Sequence, residues 1–230
     1  MSHSNVLIVG GGCAGISVAT RLKSLKSDLS ISIIEPSEQA FYQAAWTLVG
    51  AGAYDRDATV KSMSSVMPKF ANWIKGKAEE FKPESNTVKT NVGEFTYDYL
   101  VVCPGLKINF DGIQGLKETL GKNNVCTNYD FNLVNYTWET LQKVKSGNFL
   151  FTEPAMPIKC AGAPQKIMYL AADYLRNQGV IADCNIEYLC AKPVIFGVAY
   201  FQKPLEEICD YYGAKRNYQH NLISINGAAK

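Results

Sequence analysis

Three groups of residues could do chemistry. The first is the turn Gly10-Gly11-Gly12-Cys13-Ala14-Gly15, which satisfies G-x-G-x-x-G. The second is Glu35, twenty residues after Gly15, and the third is Cys160, set in Pro157-Ile-Lys-Cys-Ala-Gly-Ala-Pro164. In such a turn Gly10 permits the sharp bend, Gly12 lets a pyrophosphate approach the backbone, and Gly15 lets helix and strand pack closely, while the helix start offers N–H groups and a positive dipole end. A carboxylate at Glu35 would accept hydrogen bonds from ribose hydroxyls. The spacing points to a dinucleotide, and the motif alone leaves NAD and FAD both open. The alternative is a glycine turn that only guides the chain.

The elements around these residues follow from periodicity. Asn5 to Val9 is a short apolar run ending at glycines, which predicts a strand. Apolar positions 16, 18, 19, 22 and 25 predict a helix from Ile16 to Leu25, and Leu29 to Ile34 reads as a second strand ending at Glu35. Val66, Trp73 and Ile74 are expected to be buried within 55–75. Phe81 to Thr90 and Glu94 to Val102 read as short strands with turns at Pro83 and Gly93, and Val134 to Val144 as a helix bearing Trp138 and Leu141. From Asn148 the order is strand, cysteine loop, helix over Pro164 to Asn177, strand over Asn185 to Leu189, helix near Phe201 to Tyr212, and strand near Asn217 to Ile225. That alternation is the start of a second βαβ layer. Its first strand runs into Pro154-Ala-Met-Pro157 and not into a second G-x-G-x-x-G, so NAD is not expected there. The expected fold is α/β with tandem Rossmann-like dinucleotide-binding domains, 1–145 and 146–230.

Cys160 falls in a strand-to-helix loop. N–H groups at the helix start, with Lys159 and Lys166, would stabilise a thiolate, the form in which sulfur is nucleophilic. The plain alternative is a loop cysteine held for packing. Other chemistries have little material. His3 and His220 are the two histidines, and the seven cysteines lack the paired spacing of a zinc site. Cys184 and Cys190 fall on one side of a strand and read as core. A net charge of +2 without a basic block argues against nucleic acid. No apolar run approaches the roughly 18 residues that span a bilayer, so the chain is expected to be neither transmembrane nor secreted.

Further residues carry a resemblance. Phe41-Tyr42-Gln43, Trp46-Thr-Leu-Val-Gly50-Ala-Gly52-Ala53, the run from Lys159-Cys160 to Leu170, and Ile195-Phe-Gly-Val198 together resemble the sulfide:quinone oxidoreductases, particularly the branch with the animal mitochondrial enzymes. The resemblance runs over essentially the whole chain. It implies a disulfide-reductase-like flavoprotein whose tandem domains are of the FAD/NAD(P)-binding kind, with FAD in the first domain and the second incomplete. Gly10, Gly12, Cys13, Ala14, Gly15 and Glu35 would then lie at its ADP part, Gln43 would contribute, and Asp98 to Gly105 would return the chain to the cofactor. Cys103-Pro104 departs from the small residues usual in that turn. The resemblance further implies that Cys160 takes up sulfide sulfur, that electrons pass to a membrane quinone, and that a small thiol or sulfite accepts the sulfur. The setting would be peripheral membrane contact, at the mitochondrial inner membrane or a bacterial cytoplasmic membrane. Cys126, in Asn124-Val-Cys-Thr-Asn128, lies near a further cysteine of a bacterial branch and is the second catalytic candidate. The Gly-Asp-Cys form that carries the family's partner cysteine does not occur in residues 161–230, so a portion of a longer enzyme is expected, without that cysteine or the C-terminal membrane helices. The alternatives are a related NADH:quinone reductase and a non-catalytic FAD-binding remnant.

Overall fold

The computed structural model describes residues 2–229, which divide into two compact units. One contains the chain up to Tyr42 and Thr59–Lys107; the other contains Gln43–Ala58 and the chain from Ile108 onward. Contacts thus divide the chain elsewhere than after residue 145, and the reason lies in two glycines. A Cβ on Gly50 would run into the side chain of Asn128, and one on Gly52 into the indole of Trp138. Close packing at these points holds the short helix Trp46–Gly50 to residues far along the sequence.

In the first unit, β1 (Ser2–Val9), helix α1 (Cys13–Leu25) and β2 (Ile31–Ile34) follow one another, then the short β3 (Gln39–Phe41) and β4 (Val60–Ser62), which pair antiparallel. Next come β5 (Asn72–Ile74), β6 (Ala78–Lys82), β7 (Thr87–Thr90) and β8 (Gly93–Val102). The six-stranded sheet has the order β5-β2-β1-β8-β7-β6. Its first four strands are parallel, and β7 and β6 extend it antiparallel. β1 shows why this sheet has two covered faces. Leu7 and Val9 join Ile34, Ile74, Val88 and Tyr97 on one side, whereas Val6 and Ile8 join Ala19 of α1, Ile31 and Ile33 on the other. Ile74 is buried as expected, but Val66 and Trp73 are only half-buried, and Met63 fills the interior position instead.

In the second unit, helix α2 (Val134–Lys143) precedes β9 (Gly147–Glu153), helix α3 (Ala163–Asn177), β10 (Cys184–Cys190), helix α4 (Ala199–Tyr212) and β11 (Lys215–Tyr218). The three strands form a parallel sheet in the order β11-β10-β9. Helix α3 opens with Pro164 in its first turn, where a missing N–H is harmless, and buries Ile167, Met168, Ala171, Ala172 and Leu175. Each large side chain in that stripe contributes about 2 kcal/mol of burial. It meets Ile186, Tyr188 and Cys190 of β10 and Cys209 of α4 in one core. Cys184 is packed against this core and Cys190 lies within it, so the pair on one side of β10 serves packing. On the other side of the sheet a polar ladder crosses the strands: Asn185 donates to Asn148 and to Glu187, and Asn217 donates to Glu187.

The last strand departs from expectation. It ends at Tyr218 instead of running from Asn217 to Ile225. Gln219 takes a left-handed φ of 58° and His220 N–H turns back to the carbonyl of Cys190, which breaks the extended run. Ser224 then pairs with Gln114 in an isolated parallel bridge.

Candidate functional site

The glycine turn is built by close approach of backbone. Gly10 has a φ of 103°, and a Cβ there would collide with the carbonyl oxygen of Cys103, whose N–H donates to Val9 at 2.7 Å. A Cβ on Gly15 would collide with the carbonyl oxygen of Gly10. Gly12 is different: a Cβ there would meet nothing within 4 Å. It caps α1, whose first turn has neither a side-chain cap nor an acidic residue, so no residue of the helix itself offsets its positive end. Cys13 and Ala14 are exposed in that turn.

Glu35 stands at the end of β2 with its carboxylate fixed from two sides. Oε2 accepts the N–H of Gly11 at 2.8 Å, and Oε1 accepts the N–H of Ser37 at 2.7 Å. Each oxygen keeps a lone pair for a further donor. The open backbone at Gly12 and the oriented carboxylate at Glu35 fit a dinucleotide: amides and helix dipole for pyrophosphate, carboxylate for ribose hydroxyls. Gly105 is exposed at a φ of 69° in the segment that follows β8.

Gln43 belongs to the second unit, where it is exposed and opens the turn of 3-10 helix Gln43–Ala45. Cys160 is an exposed, free thiol in the loop between β9 and α3. Its carbonyl accepts the Tyr129 hydroxyl at 3.3 Å and the N–H of Ala163 at 3.4 Å, which ties the thiol-bearing residue to the start of α3. The Lys159 ammonium lies 5.5 Å from the centroid of the Tyr129 ring and 5.9 Å from that of Trp46. Burial pushes the Tyr129 hydroxyl up to about 12, with the charges of Cys160 and Glu153 adding to the shift. Burial lowers the pKa of Lys159, and the charge of Cys160 works against it. Tyr129 is a residue that sequence reasoning missed, because an isolated tyrosine thirty-one positions away carries no spacing signal for Cys160.

Cys126 is a half-buried free thiol donating to the carbonyl of Asn124. Burial raises its pKa against the hydroxyls of Thr140 and Thr137 on α2, so its environment favours the neutral thiol. Behind the cysteine loop, Glu153 ends β9 fully buried, receiving the Tyr188 hydroxyl and pairing with Lys192. Among the described residues no three His, Cys, Asp or Glu side chains gather to hold a metal, and no helix is long and apolar enough to cross a membrane.

A parallel sheet with a dinucleotide turn, followed by a second βαβ layer with an exposed thiol, defines a flavoprotein-type oxidoreductase fold. The family profile of the pyridine nucleotide-disulphide oxidoreductases matches residues 4–136, and the chain belongs to that family, whose members include FAD-binding flavoproteins. The chain is 42% identical over 225 residues to the mitochondrial sulfide:quinone oxidoreductase of Mus musculus, covering 97% of this chain and 50% of that protein. It is 41% identical over 230 residues to the corresponding protein of Dictyostelium discoideum, covering 99% of this chain and 51% of that one. The solved sulfide:quinone oxidoreductase of Aquifex aeolicus superposes with a TM-score of 0.78 at 23% identity, over 98% of this chain and 53% of that chain. The chain spans about half the length of the curated relatives it matches.

Proposed function

We propose that this chain supplies the FAD cradle and one redox thiol of a sulfide:quinone oxidoreductase. The observation that carries the reading is Cys160, an exposed thiol in the loop that opens α3, with Lys159 beside it in sequence. FAD would be held by the turn around Gly10, Gly12, Cys13, Ala14 and Gly15 and by Glu35, with Gly105 as a further contact. When bound, FAD supplies a two-electron relay between sulfur and quinone. The net reaction joins hydrogen sulfide to the Cys160 thiol as a persulfide while the quinone takes two electrons and two protons to become the quinol. The outer sulfur then passes to a small thiol or sulfite. Cys126 is the second thiol considered; its neutral-thiol environment supports a packing role over a redox one. The names of the relatives support a quinone partner and, with it, contact with a mitochondrial or bacterial membrane.

The test is anaerobic. The purified chain is loaded with FAD, its visible spectrum is recorded before and after sulfide and a soluble quinone, and the Cys160 peptide is weighed. Bound flavin that bleaches with sulfide, and a Cys160 peptide heavier by one sulfur atom that is lost in Cys160→Ser, is the expected result. Bleaching by NADH and not by sulfide would overturn it in favour of an NADH:quinone reductase. Flavin retention with neither response would identify a non-catalytic FAD-binding protein.

A further inference from the structure

We propose that Trp73 is a positioning residue for the ribose of FAD: its indole N–H holds the backbone of Glu35, and with it the carboxylate that receives the ribose hydroxyls. The inference rests on the reading of the glycine turn and Glu35 as the cradle for the ADP part of FAD. It starts from an irregularity between β2 and β5. These strands pair in parallel, Ile33 beside Trp73 and Ile34 beside Ile74, and the N–H of Glu35 continues the ladder by donating to the carbonyl of Ile74 at 3.0 Å. In a regular parallel ladder the next bond would run from the N–H of Gly76 to the carbonyl of Glu35. Gly76 turns away and donates to the carbonyl of Ile74, two residues back, at 2.9 Å. The half-buried Trp73 takes its place, its Nε1–H donating to the Glu35 carbonyl at 2.9 Å.

Glu35 is thereby held at every polar group. Its N–H and carbonyl are tied to β5, Oε2 to the N–H of Gly11 and Oε1 to the N–H of Ser37. The carbonyl bond matters because Pro36 follows: the peptide unit joining the two has no N–H, so that carbonyl is its only hydrogen-bonding group. Without the indole this unit is no longer tied to β5, and the carboxylate moves with it. The indole is covered in turn. The Lys75 ammonium lies 4.5 Å from its ring centroid and pairs with Glu38 at 2.9 Å, so Trp73 and Lys75 together fasten both acidic residues of the segment after β2 to the end of β5. A carboxylate that binds ribose hydroxyls needs such fixing, because its hydrogen bonds weaken steeply when the acceptor is displaced or turned.

The experiment compares the affinities of the purified, flavin-free chain for ADP and for 2′,3′-dideoxy-ADP by titration calorimetry. The native chain is expected to prefer ADP by roughly tenfold or more, because the hydroxyls donate to a charged acceptor. Trp73→Phe keeps a ring and removes the N–H; it is expected to cut the preference to roughly threefold or less, weakening ADP while leaving dideoxy-ADP bound as before. A purely structural loss would weaken both nucleotides alike, so an equal loss, or an undiminished preference with unchanged circular dichroism, would overturn the proposal. Should Trp73→Phe fail to fold, Trp73→Met fills the space without a donor and is read in the same way. The underlying reading fails separately: a native chain that binds neither nucleotide has no ADP cradle, and one that binds both equally does not use Glu35 for the ribose, whereas a preference that survives in Trp73→Phe rejects only the role of Trp73.

Discussion

The carbonyl oxygen of Cys103 occupies the space that a side chain on Gly10 would need, so the end of β8 and the glycine turn are fitted to each other backbone against backbone. Gly10→Ala must displace β1 from β8 and also adopt a φ of 103°. A destabilisation of at least about 2 kcal/mol is expected. Gly12→Ala has room within the protein and should melt like the native chain, yet bind FAD roughly tenfold or more weakly because its methyl stands where the pyrophosphate approaches. Thermal melts with and without added FAD separate the two, and equal behaviour of both variants would contradict the assignment.

Glu35 joins the turn to β2 through two amide hydrogen bonds, to Gly11 and Ser37. Glu35→Ala leaves both N–H groups without that acceptor and removes a charge-assisted pair, for a loss of about 1–3 kcal/mol in urea unfolding. Glu35→Gln keeps one carbonyl acceptor and turns an amide NH2 toward the other N–H, so it should recover only part of the loss. FAD affinity is expected to fall in the same order.

The chain should lose stability on the alkaline side. Burial raises the thiols of Cys126, Cys190 and Cys209, and it raises Tyr129 up to about 12. Each of these groups stays protonated when folded at pH values where the unfolded chain has already lost the proton, so the native state binds more protons and unfolding free energy falls as pH rises. The fall begins near about pH 8.5 with the thiols and steepens above about pH 10 with the tyrosine. Urea titrations of Tyr129→Phe between those values and about pH 12 should show a slope shallower by up to one proton. A slope equal to that of the native chain would place the tyrosine in solvent.

Lys192 and Glu153 form a pair in which the carboxylate is fully buried. Lys192→Met strands that charge with the Tyr188 hydroxyl as its remaining partner, and a loss of about 3 kcal/mol is expected. Adding Glu153→Gln to Lys192→Met should return part of it, because the buried group is then neutral. Calorimetry of the two variants and their combination decides it. Additive losses would mean the two side chains do not act as a pair.

The first unit was legible in its own sequence because its signals are local. The run to Val9, the glycine turn and Glu35 lie within one βαβ stretch, and each landed where its spacing put it, with α1 starting at Cys13, three residues earlier than Ile16. The apolar periods of α2, α3 and β10 were equally readable. What stayed hidden depends on partners far along the chain. Residues 43–58 look like any short helical stretch until Gly52 meets Trp138. The three residues of β5 are too few to show alternation, and β11 stops where Gln219 turns left-handed, a preference that glutamine does not announce. In the same way Lys159 was visible as a charge near Cys160, but the rings that hold it come from positions 46 and 129, and no pattern within the loop encodes them.

The ladder from Asn148 through Asn185 and Glu187 to Asn217 bears on how the second unit meets water. Parallel strands ordinarily need an oily layer on each side. Here α3 and α4 contribute to the core on one side, while the opposite side of β10 and its neighbours carries amides and a carboxylate that bond to one another across the strands, with the Glu187 carboxylate held ionised by both asparagines. That surface joins its amides and carboxylate to one another and leaves Leu150 exposed opposite Glu187, so a neighbour that docked on it would have to match a fixed pattern of donors and acceptors as well as cover an apolar side chain.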